Sequence, residues 1–408
     1  MQTTKIKQKK FKLVNGGVSA PKGFSSGGLH CGIRKEKPDL GWLVSATPAD
    51  AFAVYTTNLF QAAPLKVTQK SLQSEQKLQA VLVNSGIANA CTGERGLKDA
   101  YQMRAQMAGQ LNLDPDHVAV LSTGLIGEFL PIKKVTDGIS KIDPNNASPA
   151  SFEKAILTTD TREKKIALQI EIDGKIVTIG GSAKGSGMIN PNMATMLGLI
   201  TTDASIEPQA LNDQLKQLTD QTFNMITVDG DTSTNDAVLV MANHQVKNQP
   251  LNPDHPDWSL FTEALANVFQ FLAKEIARDG EGATKLIEVQ VEGAETEASA
   301  RKILKSIIGS NLVKTAAHGA DANWGRIITA IGYSGVALDP DQLMVKIGDQ
   351  TVVEYGLPVP FDPLKAKVYL ENEEVRIFVK VGESNQAAVG WGCDLSYQYI
   401  KINALYRT

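Results

Sequence analysis

Cysteine and histidine are scarce in this chain, whose 408 residues include three cysteines and five histidines. Cys31, Cys91 and Cys393 form no C-x-x-C pair, which indicates a reducing compartment and predicts no disulfide framework. Cys91 is interpreted as a small buried cysteine in a loop. The histidines never occur at H-x-x-x-H spacing, so the sequence predicts no metal site of the common zinc type.

The chain also lacks long apolar runs and a strong charge of either sign. No run approaches the ~18 residues that a membrane span needs, and no apolar stretch typical of a signal peptide follows the first lysines. The sequence has 41 Lys and Arg and 44 Asp and Glu, for a net charge of −3. Because the charges nearly balance, we expect neither nucleic acid nor an anionic membrane as a partner. We expect a cytoplasmic protein; the lysine-rich first 15 residues leave the mitochondrial matrix as an alternative.

Common enzyme signatures are absent or incomplete. No G-x-x-x-x-G-K-[ST] string occurs and no G-x-G-x-x-G follows a predicted strand, which argues against P-loop phosphoryl transfer and a Rossmann unit. Residues 23–27 match G-x-S-x-G, but Pro21 and further glycines stand where a nucleophile elbow requires a strand and a helix. We interpret this match as chance.

The sequence does contain both helical and strand-like periodicity. Apolar residues at steps of three and four predict amphipathic helices over 97–111, 131–139, 211–222 and 261–276. Strand-like runs occur at 41–47, 51–56, 79–84, 165–171, 174–180, 196–200, 284–292, 343–347, 366–370 and 375–381. Residues 16–33 are predicted to be a loop, and the tail 395–402 a buried strand with a bulge.

Helices interleaved with short strands predict the mixed α/β (α+β) class. We expect a layered sandwich in which each sheet is covered by helices on one side. Length alone favours more than one domain, and two halves are the default expectation. No internal repeat and no low-complexity linker marks a boundary between them.

The most unusual segment is 181–203, where small residues and an Asn-Pro-Asn turn lead into an apolar run. Pro191 predicts a sharp bend, which places Thr195 at the first residue of a buried strand. There its hydroxyl could attack the preceding carbonyl, of Ala194, and cut the chain through an ester. The cut would give Thr195 a free α-amine as its own general base, and the pKa of such an amine in a peptide is about 7.7–8.0. The alternative is an ordinary β-branched residue in a favourable strand position.

Residues 184–197 closely resemble the self-processing signature of the ornithine acetyltransferase family, the glutamate N-acetyltransferases of arginine biosynthesis. The resemblance extends along the chain, through segments 16–18, 20–21, 84–86, 122–124, 158–161, 228–236, 394–397, 402–404 and 406–408. It implies a self-processing enzyme of the N-terminal-nucleophile type. Cleavage between Ala194 and Thr195 would give an α chain of residues 1–194 and a β chain of residues 195–408.

The resemblance also implies roles for individual residues. Thr195 would carry the acetyl group, and Thr123 and Gly124 would form the oxyanion hole. The residues that would bind substrate are Thr158, Lys184, Thr195, Glu281, Asn403 and Thr408. Taken alone, Thr123 is interpreted as a loop threonine that bonds its own backbone, and Lys184 and Glu281 as solvated surface charges.

Lys184 and Glu281 offer one cation and one anion, which complement a zwitterionic amino acid. Gly280 and Gly282 flank Glu281, a setting that we interpret as allowing close approach of a ligand to the backbone. The sequence shows no signature for the phosphates of coenzyme A.

The implied reaction transfers acetyl from N2-acetyl-L-ornithine to L-glutamate through an acetyl-Thr195 ester. No resident cofactor and no metal are expected; acetyl-CoA is a possible second acetyl donor. The family resemblance implies an α₂β₂ heterotetramer, no nucleic-acid partner and no membrane. Two alternatives stay open: a related N-terminal-nucleophile aminopeptidase or amidase, and an uncleaved small-molecule-binding or assembly module.

Overall fold

The computed structural model describes residues 11–190 and 196–405, which divide into two compact units. Of these residues, unit 1 holds 11–185, 196–219 and 232–272, and unit 2 holds 186–190, 220–231 and 273–405. This division differs from the predicted α and β chains, because strand residues after position 195 belong to unit 1. The predicted cleavage products remain a prediction.

Helices and strands follow one another along the whole described chain. The first part contains β1 (Lys12–Val14), β2 (Phe24–Leu29), β3 (Leu40–Tyr55), α1 (Ala63–Glu75), β4 (Lys77–Ile87), α2 (Gly93–Leu111), β5 (Val118–Leu125), α3 (Ile132–Ile139), α4 (Pro149–Ala155), β6 (Lys164–Ile172), β7 (Lys175–Lys184) and β8 (Leu197–Thr202). The second part contains α5 (Pro208–Gln221), β9 (Ile226–Thr227), β10 (Ala237–Ala242), α6 (Trp258–Arg278), β11 (Leu286–Gly293), α7 (Glu297–Gly309), α8 (Asn311–His318), α9 (Trp324–Gly332), β12 (Met344–Ile347), β13 (Gln350–Glu354), β14 (Leu357–Pro358), α10 (Pro363–Leu370), β15 (Glu374–Lys380), β16 (Ser384–Cys393) and α11 (Tyr397–Ala404).

The described residues of unit 1 form a nine-stranded sheet in the order β1-β6-β7-β8-β10-β3-β4-β5, with β2 paired to β3 beside this path. The β8–β10 and β4–β5 pairs are parallel, and the other neighbours are antiparallel. Strand β3, 16 residues long, joins the two predicted runs 41–47 and 51–56. Its register with β4 shifts between Val44 and Ala49, where a bulge accommodates the extra length.

The sheet of unit 1 is buried on both faces, as β4 illustrates. Val81 belongs to one apolar cluster together with Phe152 of α4, while the next residue, Leu82, belongs to another with Met103 and Met107 of α2. Successive side chains of a strand point to opposite faces, so each face has its own core. Burial of one such side chain contributes about 1.5–3 kcal/mol. The predicted apolar face of 97–111 is confirmed as core.

Strand β8 lies inside this sheet and begins two residues after Thr195. All six of its residues are buried, between β7 and β10. The predicted buried strand over 196–200 is therefore confirmed, with an end at Thr202 instead of Ile200. Lys184, the last residue of β7, pairs with Leu197, the first residue of β8.

The described residues of unit 2 form a seven-stranded sheet in the order β14-β13-β12-β15-β11-β16-β9. Strand β11 runs parallel to β15 and antiparallel to β16. Val289 and Val291 of β11 share an apolar cluster with Ile303, Leu304 and Ile307 of α7. Each unit therefore has a sheet with helices packed on it, and the predicted mixed α/β class is confirmed. The expectation that helices cover each sheet on one side is wrong for unit 1, where α4 packs on one face and α2 on the other. None of the helices in the described residues is long and apolar enough to span a membrane.

Two predicted strands are wrong, because helix caps override a short alternation. The tail 395–402 contains helix α11, where the Ser396 side chain accepts a hydrogen bond from the Gln398 N–H and none of the helix residues is buried. Residues 366–370 belong to α10, which begins with Pro363 and is capped by the Asp362 carboxylate. Both caps satisfy N–H groups that a helix leaves unpaired at its start.

The predicted loop 16–33 is also partly wrong. Residues Phe24–Leu29 form β2, which pairs with Leu40–Ser45 of β3 along its length. A small residue is needed at position 27, because a Cβ on Gly27 would lie only 2.9 Å from the Trp42 indole nitrogen. Cys91, predicted to be buried, is exposed and has a positive φ of 56° just before α2.

Candidate active site

The predicted oxyanion-hole residues lie at the carboxyl end of β5. Thr123 is buried opposite Ser85, and Gly124 lies opposite Gly86 of the parallel strand β4. Gly124 has a φ of +134°, and a Cβ there would meet the carbonyl group of Gly86 and the backbone nitrogen of Ile87, the latter at 2.6 Å. Both the backbone conformation and this close approach require glycine at position 124.

Asn235 connects this end of β5 to the start of β8. Its side-chain nitrogen donates to the carbonyl oxygens of Ala88 at 2.6 Å and Ser122 at 2.8 Å. Two residues later, the Ala237 N–H donates to the carbonyl oxygen of Met196 at 2.9 Å. Segment 235–237 therefore hydrogen-bonds both to the residue before Thr123 and to the residue that follows Thr195 in the sequence.

Thr158 lies in the same unit and is fixed through its backbone. Its N–H donates to a carboxylate oxygen of Asp160 at 3.0 Å. The Arg34 guanidinium donates to the neighbouring carbonyl oxygen of Leu157 at 2.7 Å, and a Cβ on Gly86 would lie 3.1 Å from the Arg34 side chain. Arg34 thus links the Thr158 loop to the strand that packs against Gly124.

Lys184 is buried, which excludes the interpretation of a solvated surface charge. Its Nζ lies 4.0 Å from Oδ2 of Asp160, whose side chain is completely buried. The other carboxylate oxygen of Asp160 accepts hydrogen bonds from Lys164 Nζ at 2.6 Å and from the Gly185 N–H at 2.7 Å. The structure therefore brings Thr158 and Lys184 together around one carboxylate.

The Asp160 carboxyl is ionised despite its burial. Burial alone would raise its pKa, but the ammonium groups of Lys184 and Lys164 and the hydrogen bonds from Lys164 and Gly185 hold the pKa well below its ordinary range. A carboxylate that accepts several hydrogen bonds beside two cations favours its charged form. Asp160 is therefore a permanent anion at neutral pH.

Asp236, which precedes Ala237, shows the opposite behaviour. It is 3% exposed, and one of its carboxyl oxygens has no hydrogen-bond partner among the described residues. Burial raises the pKa of Asp236 well above its ordinary value, against the hydrogen bond with Ser233 and the charge of Lys184. The surroundings of Asp236 therefore favour its neutral form, whereas those of Asp160 favour its charged form.

Glu281 and Asn403 are in direct contact in unit 2. The Asn403 amide donates to a Glu281 carboxylate oxygen at 2.8 Å. Glu281 is 7% exposed, so it is a buried acid and not a solvated one. Its N–H donates to the carbonyl oxygen of Ser186 at 2.9 Å, and any Cβ on Gly187 would collide with its carboxylate.

The glycines beside Glu281 lie in close contact with other segments of the chain. A Cβ on Gly280 would meet the sulfur of Cys393 at 2.6 Å, and a Cβ on Gly282 would meet the backbone nitrogen of Tyr399 at 2.6 Å. The chain's own segments therefore make a close approach to these two glycines, and the approach of a ligand stays a prediction. Gly282 has a positive φ of 70° besides, so a side chain there would be strained as well.

Asp229 holds the segment before position 190 in unit 2. Its carboxylate accepts the N–H groups of Met188 at 2.7 Å and Ile189 at 2.8 Å. Burial, together with the charges of Asp229 and Glu281, raises the pKa of the Tyr399 phenol. Tyr399 belongs to α11, which also carries Asn403, so this helix lies close to both acids.

Three predicted residues, Ala194, Thr195 and Thr408, lie outside the described residues. The others fall into two groups, with Thr123, Gly124, Thr158 and Lys184 in unit 1 and Glu281 and Asn403 in unit 2. Sequence reasoning gave no role to several residues that organise these groups, namely Arg34, Asp160, Asp229, Asn235 and Asp236. All except Arg34 occur in the segments that carry the resemblance, but residue type alone did not single them out.

One group of side chains outside these sites has ligand types suited to a metal ion. Candidate ligand atoms of Asp173, His255 and Asp257 lie within 4.8 Å of one another. However, Nδ1 of His255 accepts the Asp257 N–H at 3.0 Å, and Nε2 faces the Asp173 carboxylate at 3.3 Å. A neutral imidazole in this arrangement carries its proton on Nε2. The cluster therefore connects the turn between β6 and β7 to the start of α6 through hydrogen bonds.

The chain is similar to known proteins over nearly its whole length. The model of the ArgJ family matches residues 25–408. The "Arginine biosynthesis bifunctional protein ArgJ" of Oceanobacillus iheyensis is 54% identical over 408 residues, with 100% of both chains covered. The protein of the same name from Bacillus subtilis is 57% identical over 395 residues, 97% of each chain. A crystal structure of ArgJ from Bacillus halodurans is 54% identical, covering 45% of this chain and 98% of that chain at a TM-score of 0.44.

Proposed function

The chain belongs to the ArgJ family of arginine-biosynthesis enzymes, and from this premise we propose that it transfers acetyl from N2-acetyl-L-ornithine to L-glutamate through an ester on Thr195. The nucleophile becomes available when the chain cleaves itself between Ala194 and Thr195. The new α-amine of Thr195 then serves as the general base for its own hydroxyl.

The reaction proceeds in two steps with one intermediate. First, the Thr195 hydroxyl attacks the acetyl carbonyl, its proton passes to the α-amine and on to the leaving nitrogen, and ornithine departs. Second, the α-amine of glutamate attacks the ester, and the Thr195 oxygen recovers a proton as N-acetylglutamate leaves. Transfer competes with hydrolysis only if a bound amino acid replaces water at the ester.

Thr123 and Gly124 are assigned to the oxyanion hole that both tetrahedral intermediates need. The observation that supports this assignment is the hydrogen bonding of Asn235. This residue hydrogen-bonds to the Ser122 carbonyl at 2.8 Å, and the adjoining Ala237 bonds Met196, which follows the nucleophile. Fixed donors at developing negative charge typically contribute a factor of ~10²–10³ in rate.

The charged residues suit an amino acid. In unit 1, the buried ammonium of Lys184 suits a carboxylate. The Thr158 N–H donates to Asp160, the same aspartate that lies near the Lys184 ammonium. In unit 2, the Glu281 carboxylate suits an ammonium group, and Asn403 orients it. Charge-assisted hydrogen bonds of this kind are the stronger class. Thr408 completes the proposed set of substrate-binding residues.

A second activity is part of the proposal. The relatives from Oceanobacillus iheyensis and Bacillus subtilis carry the word bifunctional in their names. We infer that this chain also acetylates glutamate with acetyl-CoA as donor, through the same Thr195 ester. The protein needs no resident cofactor or metal for either reaction, because the nucleophile, the base and the oxyanion donors all belong to the chain.

Assembly and location complete the proposal. We propose an α₂β₂ heterotetramer of the two cleavage products and a cytoplasmic protein, with the mitochondrial matrix as the alternative location. The three cysteines are unpaired and Cys91 is exposed, which supports a reducing compartment. Size-exclusion chromatography with light scattering and cell fractionation test these two points.

The central experiment incubates the purified protein with acetylornithine, with and without glutamate, and follows N-acetylglutamate. Acetyl transfer that depends on glutamate supports the proposal, whereas hydrolysis of peptides without transfer favours an aminopeptidase or amidase. Mass spectrometry of the active protein adds a second criterion. Fragments of 194 and 214 residues are expected, and an active preparation that contains only the intact 43.9 kDa chain would refute the nucleophile.

A further inference from the structure

Asp160 lies at the centre of the proposed substrate residues of unit 1. It is completely buried, and four groups of the chain converge on its carboxylate. One oxygen accepts the Gly185 N–H at 2.7 Å and Lys164 Nζ at 2.6 Å, and the other accepts the Thr158 N–H at 3.0 Å. Gly185 directly follows Lys184, so Asp160 holds the backbone beside both Lys184 and Thr158.

The two lysines near Asp160 have different relations to it. The Lys164 side chain is completely buried and makes a hydrogen-bonded ion pair with the Asp160 carboxylate. The Lys184 ammonium is 4.0 Å from the second oxygen, which is too long for a direct hydrogen bond. Lys164 therefore neutralises Asp160, while the Lys184 ammonium keeps its donors for another acceptor.

The Lys184 ammonium lacks the close carboxylate contact that Lys164 has. Lys164 Nζ is 2.6 Å from Asp160, whereas Lys184 Nζ is 4.0 Å away, and burial raises the pKa of the nearby Asp236 carboxyl, which disfavours its charged form. A buried charge is costly unless it is paired. An anionic group of a ligand, such as an amino-acid carboxylate, would give the Lys184 ammonium a direct partner.

We propose that Asp160 is a positioning residue, which with Lys164 as its permanent counter-ion holds Thr158 and Lys184 in place for the carboxylate of the amino-acid substrate. This inference rests on the proposed function and deepens it. Asp160 does not touch the substrate. It acts by fixing two backbone segments, since the Gly185 N–H that it accepts lies 25 residues further along the chain.

A test must separate positioning from mere structural support. Asp160→Asn alone would leave Lys164 buried and unpaired, so the variant of choice is Asp160→Asn/Lys164→Met, which removes both charges together. Asp160→Glu keeps the charge and displaces the carboxylate by one methylene. Lys184→Met removes the proposed substrate cation. The matched control is Asp203→Asn, at a buried aspartate of unit 1 that accepts the Lys22 and Thr178 N–H groups at 2.8 Å each.

Steady-state kinetics with acetylornithine and glutamate, self-cleavage and melting temperature are measured for each variant. We expect Asp160→Asn/Lys164→Met and Asp160→Glu to cleave themselves and to raise KM for both substrates about 10- to 100-fold, with kcat within about threefold of wild type. Lys184→Met should have a similar effect alone and less than about a threefold effect in the Asp160→Asn/Lys164→Met background. Asp203→Asn should leave KM unchanged.

The outcomes separate this inference from the function on which it rests. Unchanged KM in Asp160→Glu overturns the inference, even if the variant without both charges fails to fold. Fully multiplicative effects of Lys184→Met and Asp160→Asn/Lys164→Met also overturn it, because Lys184 would then act independently of Asp160. A wild-type protein that does not transfer acetyl to glutamate refutes the proposed function first, and the inference with it.

Discussion

The side-chain amide of Asn403 donates a 2.8 Å hydrogen bond to the carboxylate of Glu281, 122 positions earlier in the chain. Asn403 stands on α11, a helix that buries none of its own residues, so this contact does not arise from packing of that helix into a core. The same amide also donates to the Tyr399 carbonyl oxygen at 3.1 Å. The amide is therefore oriented by its own helix while it orients the acid.

The first prediction concerns this pair. Asn403→Ala and Glu281→Gln should each raise KM for acetylornithine and glutamate by at least about tenfold. Asn403→Ala removes a hydrogen bond to a buried charge, worth about 1.5–3 kcal/mol, and Glu281→Gln removes the charge itself. The double variant should lose less than the product of the two effects. Steady-state kinetics of the four proteins measure this coupling.

Asn372→Ala is the matched control for that cycle. Asn372 also donates from its side chain to a carbonyl oxygen, that of Tyr369, at 2.7 Å, but it lies at an exposed helix end of unit 2. Its substitution should leave KM unchanged. Independent, fully multiplicative effects of the Asn403 and Glu281 substitutions would contradict the role of the pair.

The second prediction concerns the nucleophile. Thr195→Ala should run as one uncut chain on denaturing electrophoresis and lose more than about a thousandfold in kcat, because no hydroxyl remains to attack either carbonyl. Thr195→Ser keeps the hydroxyl and should still give two fragments. Two fragments from Thr195→Ala would show that cleavage uses another group.

The third prediction concerns Gly124, which we propose as part of the oxyanion hole. Gly124→Ala should lower kcat by about 10²–10³-fold, since a Cβ would push the strand end away from Gly86 and displace the donor. Gly127→Ala is the control: Gly127 also has a positive φ, of 84°, but a Cβ there meets nothing within 4 Å among the described residues. If both variants lose the same activity, backbone strain and not the close contact is the cause.

The fourth prediction concerns stability and pH at a buried acid that the reaction does not use. Glu153 is 2% exposed, and its carboxyl accepts a 2.7 Å hydrogen bond from Ser182. Burial raises its pKa to about 8 from 4.5, against the opposing effects of Ser182 and Lys165. Between these two values the folded protein binds the proton more tightly than the unfolded chain.

The free energy of unfolding should therefore fall as pH rises from 4.5 to 8, by at most about 1.4 kcal/mol per pH unit from this group. Glu153→Gln should remove this part of the slope in denaturant titrations at about pH 5, 6.5 and 8. Glu171→Gln, at an exposed residue of β6, should keep the wild-type slope. An unchanged slope in Glu153→Gln would show that the buried acid is ionised.

Helix α2 and strand β8 show where sequence reasoning was sufficient. The predicted face of 97–111, which includes Met103 and Met107, is buried in the structure. The apolar run after Thr195 forms a strand with every residue buried. In both segments the spacing of the apolar residues matches the sides that the rest of unit 1 buries. Local pattern and tertiary packing therefore favour the same structure.

The tail shows where that reasoning fails. Alternation of Leu395, Tyr397 and Tyr399 predicted a strand, yet Tyr397 is 86% exposed on a helix. So short an alternation carries little information, because the same residues satisfy a helix once Ser396 caps it. The helices α7 and α8 were not predicted at all, although α7 packs on strands of unit 2.

By itself the sequence determined the family resemblance and the mixed α/β class, and it predicted the reacting groups, because these depend on residue types at fixed spacing along the chain. Only the tertiary structure decided that Lys184 and Thr158 share the carboxylate of Asp160, and that segment 235–237 hydrogen-bonds to both Ser122 of β5 and Met196 before β8. Burial and the positions of neighbouring charges depend on how distant strands pair, and no local pattern of residues encodes that pairing.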